Sequence, residues 1–169
     1  YLIVIHAGVG EEAGGGAQGS DAIWSHRWNL GGLYPIEGTE YTDENGNTRP
    51  YYAYDYTIEP EDGAAGVFCH EFGHDLGAPD EYDTIYSSAS SEPVAFWSLM
   101  SSGSWGGAIP GTEPTGISPY SRQLFQNIYG GRWQNQTVID YSALSKRGTK
   151  YTINSAAETG DVLRINLPD

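Results

Sequence analysis

The sequence predicts an α+β fold, with a mixed domain over residues 1–135 and a short β region over residues 136–169. Three segments have the apolar spacing of helices, whereas several others alternate or form the short apolar runs of strands. The 23 glycines and nine prolines predict many turns and exclude a bundle of long helices. The β region would be a strand extension or the start of a truncated β domain.

The first part of the chain predicts two strands, a helix between them and a hairpin. Residues 1–5 form an apolar run typical of a buried strand, and residues 20–32 have the apolar spacing of a helix that ends at a glycine pair. The Asn45–Gly46 step predicts a hairpin turn, whose acidic and amide side chains only imperfectly imitate a calcium loop. Residues 51–58 alternate strictly, which predicts a half-buried strand with its tyrosines in the core.

Two helices are predicted further along the chain. Residues 64–76 supply an apolar face and precede Gly77, a natural residue for the position after a helix C-terminus. Residues 117–131 have Pro119 near the first turn and end in a glycine pair. The runs TVIDYSAL, KYTINSA and DVLRINL then have the character of strands separated by turns.

Charge and composition exclude several classes of partner. The net charge of −14 repels phosphate groups, so we expect no nucleic-acid partner. No apolar run approaches the roughly 20 residues that span a bilayer, so we expect no membrane insertion. The single cysteine, Cys69, excludes an internal disulfide and is expected to be a small buried side chain. The opening residues lack the features of a signal peptide, which indicates a piece of a longer precursor.

The stretch HEFGHDLGAPD, residues 70–80, has the pattern of a zinc hydrolase. His70 and His74 are one helical turn apart, so both imidazoles emerge on one face and can bind the same ion. Glu71 projects towards the same cleft, where its carboxylate would take a proton from water activated by the metal. The other interpretation, a solvated polar face of a helix, explains less of the pattern.

A catalytic zinc needs a third protein ligand, and the sequence offers one after the helix. Gly77 can adopt positive φ and reverse the chain, which would bring Asp80 back beneath the two histidines. Glu81 is the alternative ligand if the chain reverses one residue later. Glu81 and Asp83 are otherwise candidates for groups around the metal, for calcium ligands or for a solvated turn. Tyr82 or Tyr120 is a candidate for stabilising the oxyanion.

These motifs resemble a known family. HEFGHDLGAPD matches HExxHxxGxxD, the aspartate-ended version of the metzincin zinc-binding motif, and SLMSSGSW is similar to the methionine-containing turn of that clan. Together with GVGEEAGGGAQGSDAIWSHRW, they make residues 1–130 closely similar to the immune inhibitor A-type, or M6, metallopeptidases. The resemblance implies a metzincin-like catalytic domain, a twisted sheet with an active-site helix and a C-terminal helix.

The resemblance also implies a function. It implies a secreted bacterial zinc endopeptidase, made as a zymogen with an upstream pro-segment and downstream domains. The zinc ligands would be His70, His74 and Asp80, with Glu71 as general base and acid and Met100 as the turn methionine. Family members also bind structural calcium, through ligands that the sequence does not identify.

Two functional hypotheses from different classes remain open. The first is hydrolysis of protein or peptide substrates, including glycosylated ones, with the substrate paired to an edge strand for which residues 51–58 are the candidate. The alternative is a non-catalytic, calcium-stabilised binding module derived from a peptidase. The presence of Glu71 favours the enzyme, because a binding module does not need the base.

Overall fold

The structure, a computed structural model, describes residues 1–85, 92–145 and 147–168. The chain divides into two compact units, Tyr1–Thr115 and Gly116–Asp169. Small sheets and a few helices confirm the predicted mixture of α and β structure. The predicted domain boundary at residue 135 stays a prediction, because a domain is a part of the chain that can fold independently.

A three-stranded sheet organises the first unit. The elements of this unit are β1 (Leu2–His6), β2 (His26–Pro35), β3 (Tyr41–Thr42), β4 (Thr48–Arg49), β5 (Tyr52–Pro60) and α1 (Ala65–Asp75). The strand order is β1-β5-β2, with β1 parallel and β2 antiparallel to β5. β3 and β4 pair around the Asn45–Gly46 step, which confirms the predicted hairpin.

β5 confirms the predicted strand but corrects two expectations about it. The prediction that it is an edge strand for a substrate was wrong, because β1 and β2 pair with it on both sides. The expectation that its tyrosines lie in the core was also wrong, since Tyr52 and Tyr54 are each 44% exposed. The opposite face is the buried one, with Thr57 and Glu59 almost inaccessible, because that face packs towards α1.

Residues 20–32 do not form the predicted helix. They contain a 3-10 turn at Gly19–Asp21 and the first part of β2. Aromatic and branched residues favour a pleated surface when a partner strand is present, and β5 supplies that partner. Gly31, with a φ of 74°, also disfavours a helix. KYTINSA was likewise predicted as a strand, but residues 147–155 contain none.

Two predictions of burial were wrong. β1 forms as predicted, but Ile3 and Ile5 are each 52% exposed, because β1 pairs with β5 along one side only in the described sheet. Cys69 is exposed because it lies on the outer face of α1, one turn after the exposed Ala65.

Two glycines allow α1 to pack closely against residues 100–104. A Cβ atom added at Gly66 would lie 1.8 Å from the carbonyl oxygen of Ser104, and one added at Gly73 would lie 2.6 Å from Sδ of Met100. Met100 is fully buried. This close packing against residues 100–104 therefore holds α1, the helix that bears the HExxH motif, in its position.

We expect Gly66→Ala to lower the free energy of unfolding by about 2–3 kcal/mol. Alanine favours a helix by about 1 kcal/mol over glycine, but the backbone oxygen of Ser104 cannot move away as a flexible side chain would. Urea unfolding measures the difference. Gly32→Ala is the matched control, because the nearest atom to its added Cβ lies at 3.8 Å. Equal stability of Gly66→Ala and the wild type would contradict this packing.

The second unit contains α2 (Pro119–Tyr129), β6 (Asn135–Asp140), α3 (Ala156–Thr159) and β7 (Asp161–Asn166). α2 confirms the second predicted helix: it begins at Pro119, and the hydroxyl of Ser118 accepts a bond from the N–H of Ser121. β6 and β7 form a parallel pair, which confirms two of the three strands predicted there. Within the described residues, no helix has the length and apolar character needed to cross a bilayer.

Candidate metal centre

Three side chains converge at the end of α1 and the turn that follows it. Oδ1 of Asp80 lies 3.3 Å from Nε2 of His70 and 3.2 Å from Nε2 of His74. Among the described residues, no group forms a hydrogen bond with this buried oxygen, and one ligand atom from each of the three residues lies within 4.8 Å of the other two. Ligand atoms of a tetrahedral zinc are about 3.3 Å apart, so the three side chains fit such an ion.

The hydrogen bonds of the two imidazoles leave the converging nitrogens free to bind a metal. Nδ1 of His70 lies 2.9 Å from the carbonyl oxygen of Leu99, and Nδ1 of His74 lies 2.8 Å from that of Ala78. A carbonyl oxygen only accepts, so each Nδ1 carries the proton and donates it. Each Nε2 then presents its lone pair, the arrangement that a metal-binding histidine requires.

Gly77 produces the chain reversal that returns Asp80 to the helix. Its φ of 101° is accessible to glycine and strained for other residues. The N–H groups of Gly77 and Ala78 donate to the carbonyls of His74 and Gly73, at 2.9 and 3.0 Å. These bonds close the end of the helix and hold the turn in place.

Protonation preferences within this cluster follow from burial and from the neighbouring charges. Burial raises the pKa of Glu71, although the nearby imidazoles of His70 and His74 oppose the change. Burial alone would raise the pKa of Asp80 as well, but in the metal-free protein the two imidazoles, when protonated, hold that pKa well below its usual range. Asp80 is therefore the anion of the cluster, and Glu71 is the carboxylate that more readily accepts a proton.

The segment around Met100 contacts both the helix and the turn. Met100 lies beneath Gly73 with its side chain fully buried. The carbonyl of Leu99 accepts the bond from His70, and the carbonyl of Met100 accepts one from the N–H of Glu81 at 2.7 Å. The backbone of this segment thus holds His70 on the helix and also Glu81, the residue that directly follows Asp80.

Two depressions flank the centre. A cavity of 290 Å³ is lined by His70 and Glu71 together with residues from the N-terminal region and from residues 101–105. A groove of 450 Å³ lies beside His74 and Asp80 and is bounded by β2. An extended peptide that bound along both depressions would cross the candidate metal centre.

Comparison with known proteins decides the family. Residues 1–134 match the family described as immune inhibitor A peptidase M6, catalytic domain. The chain belongs to this M6 family. Immune inhibitor A of Bacillus thuringiensis subsp. alesti is 49% identical over 100% of this chain and 25% of its own length. The pre-pro-metalloprotease PrtV of Vibrio cholerae serotype O1 (strain M66-2) is 47% identical over 99% of this chain and 18% of its own length.

Membership of the M6 family confirms the resemblance inferred from the motifs. The chain spans about a quarter or less of the length of these two relatives. The activity, substrates and partners of the whole protein are therefore matters for proposal.

The other predicted site residues of this M6 chain are Glu81, Tyr82, Asp83 and Tyr120. Asp80, and not Glu81, joins the histidines among the described residues. Oδ1 of Asp83 accepts from the N–H of Ile85 at 2.8 Å, as in a local turn. The ring of Tyr82 stacks on His70 with centroids 6.3 Å apart. Tyr120 is an exposed residue of α2 in the second unit, and its role stays a prediction.

Sequence reasoning missed an ion-pair bridge next to the motif. Arg27 on β2 contacts Asp55 on β5 at 2.7 Å and Asp75 on α1 at 3.3 Å. Burial raises the pKa of Asp75, and Arg27 opposes that rise. Asp75 follows His74 directly, so the bridge ties the end of the motif helix to two strands. The only sequence signal was an acidic residue beside a candidate metal ligand, with a partner 48 positions away.

Proposed function

We propose that this chain is the catalytic part of a secreted bacterial zinc endopeptidase with a metzincin-like fold. The observation that carries the proposal is the convergence of Nε2 of His70, Nε2 of His74 and Oδ1 of Asp80 beside the buried carboxylate of Glu71. M6 membership supports the peptidase class. One relative is named a metalloprotease, which supports the use of a metal.

His70, His74 and Asp80 would hold the zinc, and their donor set fits it. Zinc, when bound, supplies Lewis acidity that polarises the scissile carbonyl and makes water more acidic. Glu71 accepts the proton of the attacking water and passes it to the leaving amine nitrogen. Asp80 adds a negative charge where commoner metzincins have a neutral histidine, which leaves less charge on the metal and makes Glu71 more important.

The substrate would lie extended across the centre. β2 is an outer strand of the described sheet and also borders the groove beside His74 and Asp80. Main-chain hydrogen bonds to β2 would therefore guide a peptide across the zinc. This assignment replaces β5, whose two sides are occupied by other strands.

Secretion as a zymogen is part of the proposal, and the name pre-pro-metalloprotease of one relative supports it. Structural calcium stays a prediction: the described residues offer one cluster that could hold a metal, the His70, His74 and Asp80 group. The alternative function, a non-catalytic calcium-stabilised module, would keep the fold without hydrolysis.

Removal of the metal tests the proposed function. We expect the zinc-loaded protein to hydrolyse casein and an internally quenched peptide, and 1,10-phenanthroline to abolish the activity because the metal is essential. Addition of zinc in excess should restore hydrolysis. The non-chelating isomer 1,7-phenanthroline is the control. Hydrolysis that survives complete removal of zinc would contradict a zinc peptidase, and absence of hydrolysis in the zinc-loaded protein would favour the binding module.

A further inference from the structure

The wall of the 290 Å³ cavity beside Glu71 is apolar in part. Its apolar and aromatic lining consists of Trp24, Val67, Tyr82 and Trp105. Aromatic rings attract cations through the partial negative charge of their faces, and those faces also cover the methylene groups of a long side chain. The cavity is thus suited to a side chain that combines an apolar stem with a charged end.

Two carboxylates outside the zinc-binding motif also line this cavity, those of Glu12 and Glu92. Glu12 accepts a bond from the N–H of Ser25 at 3.0 Å and another from the Ser25 hydroxyl. Oε2 of Glu92 accepts bonds from the hydroxyls of Ser101 and Ser102, at 2.9 and 2.8 Å. Neutral donors therefore hold both carboxylates at the wall without cancelling their charge.

The carboxylates of the cavity wall face no basic side chain among the described lining residues outside the zinc-binding motif. Glu12 and Glu92 are both acidic, and the described lining residues include no lysine or arginine. A neutral side chain in the cavity would exclude water from these carboxylates without supplying a counter-charge, which costs free energy. An ammonium or guanidinium group would instead form charge-assisted hydrogen bonds with them.

We infer that this cavity binds a cationic side chain, arginine or lysine, of the residue on one side of the scissile bond. The inference rests on the proposed function, because it takes Glu71 to act at that bond. Since Glu71 and His70 line the cavity, a side chain adjacent to the bond is the one that enters it. Glu12 and Glu92 are then specificity-determining residues for peptide hydrolysis.

The test compares internally quenched peptides that carry arginine, methionine or glutamate on either side of the scissile bond. For the zinc-loaded protein, we expect kcat/KM for arginine to exceed that for methionine by about tenfold or more at one of the two positions. Glu12→Gln and Glu92→Gln should each lower this ratio several-fold. Glu44→Gln, an exposed change on the β3–β4 hairpin, should leave the ratio as it is.

A binding measurement separates this inference from the proposed function. The Glu71→Gln variant lacks the base, so the peptides stay intact during calorimetry, and the arginine peptide should bind about tenfold more tightly than the methionine peptide. Hydrolysis by the wild type without a preference for arginine or lysine at either position would overturn the inference alone. Selective binding without any hydrolysis would contradict the proposed function and support the cavity as a cation-binding site.

Discussion

Glu71→Gln should retain zinc and lose hydrolysis, with kcat reduced on the order of 10³-fold or more. Glutamine has nearly the shape of glutamate, so the buried side chain still fits beside the two histidines. It cannot accept the proton of the attacking water or pass one to the leaving amine. The measurement pairs kcat for an internally quenched peptide with zinc content by elemental analysis.

The control for this variant is Glu44→Gln, which makes the same chemical change at an exposed position. It should have the activity and zinc content of the wild type. Retention of both activity and zinc in Glu71→Gln would show that another group is the base. Loss of zinc from Glu71→Gln would show that this carboxylate helps to hold the metal.

Asp80→Ala should weaken zinc binding by about a thousandfold or more and abolish hydrolysis with it. The substitution removes a carboxylate oxygen that lies within 3.3 Å of both imidazole nitrogens. Two histidines alone leave the ion with half of its tetrahedral ligands. Competition with a chromophoric chelator measures the affinity of each variant.

Glu81→Ala is the matched control, because it removes the neighbouring carboxylate and leaves the turn at Gly77 unchanged. We expect its zinc affinity to equal that of the wild type. The opposite result, weak binding in Glu81→Ala and normal binding in Asp80→Ala, would assign the third ligand to Glu81 and contradict the turn described above.

The local geometry of the site was predictable because it depends on short sequence separations. The spacing of His70 and His74 fixes their shared face once the segment is helical, and the structure brings Asp80 to them across a turn of three residues. Gly77 marks that turn in the sequence, since positive φ is costly for other residues. The two longer helices also have local signals. Pro119 marks the beginning of α2 and Gly130 marks its end, and Gly77 marks the end of α1.

The remaining features depend on contacts between distant segments, which one sequence does not reveal. The first part of β2 was predicted as part of a helix because its apolar spacing fits both structures, and only pairing with β5 decides between them. The Arg27–Asp75 bridge and the cavity that includes Glu12 and Glu92 join residues far apart in the chain. Cys69 was expected to be buried from its residue type, whereas its place on the outer face of α1 exposes it.

The central claim is that three side chains of one helix and its following turn hold a single zinc ion. Anomalous diffraction at the zinc absorption edge, from crystals of the zinc-loaded protein, tests it most directly. We expect one strong peak per chain, about 2.0–2.2 Å from Nε2 of His70, Nε2 of His74 and a carboxylate oxygen of Asp80. A principal peak bound elsewhere, or bound by the histidines with Glu81 in place of Asp80, would contradict the claim.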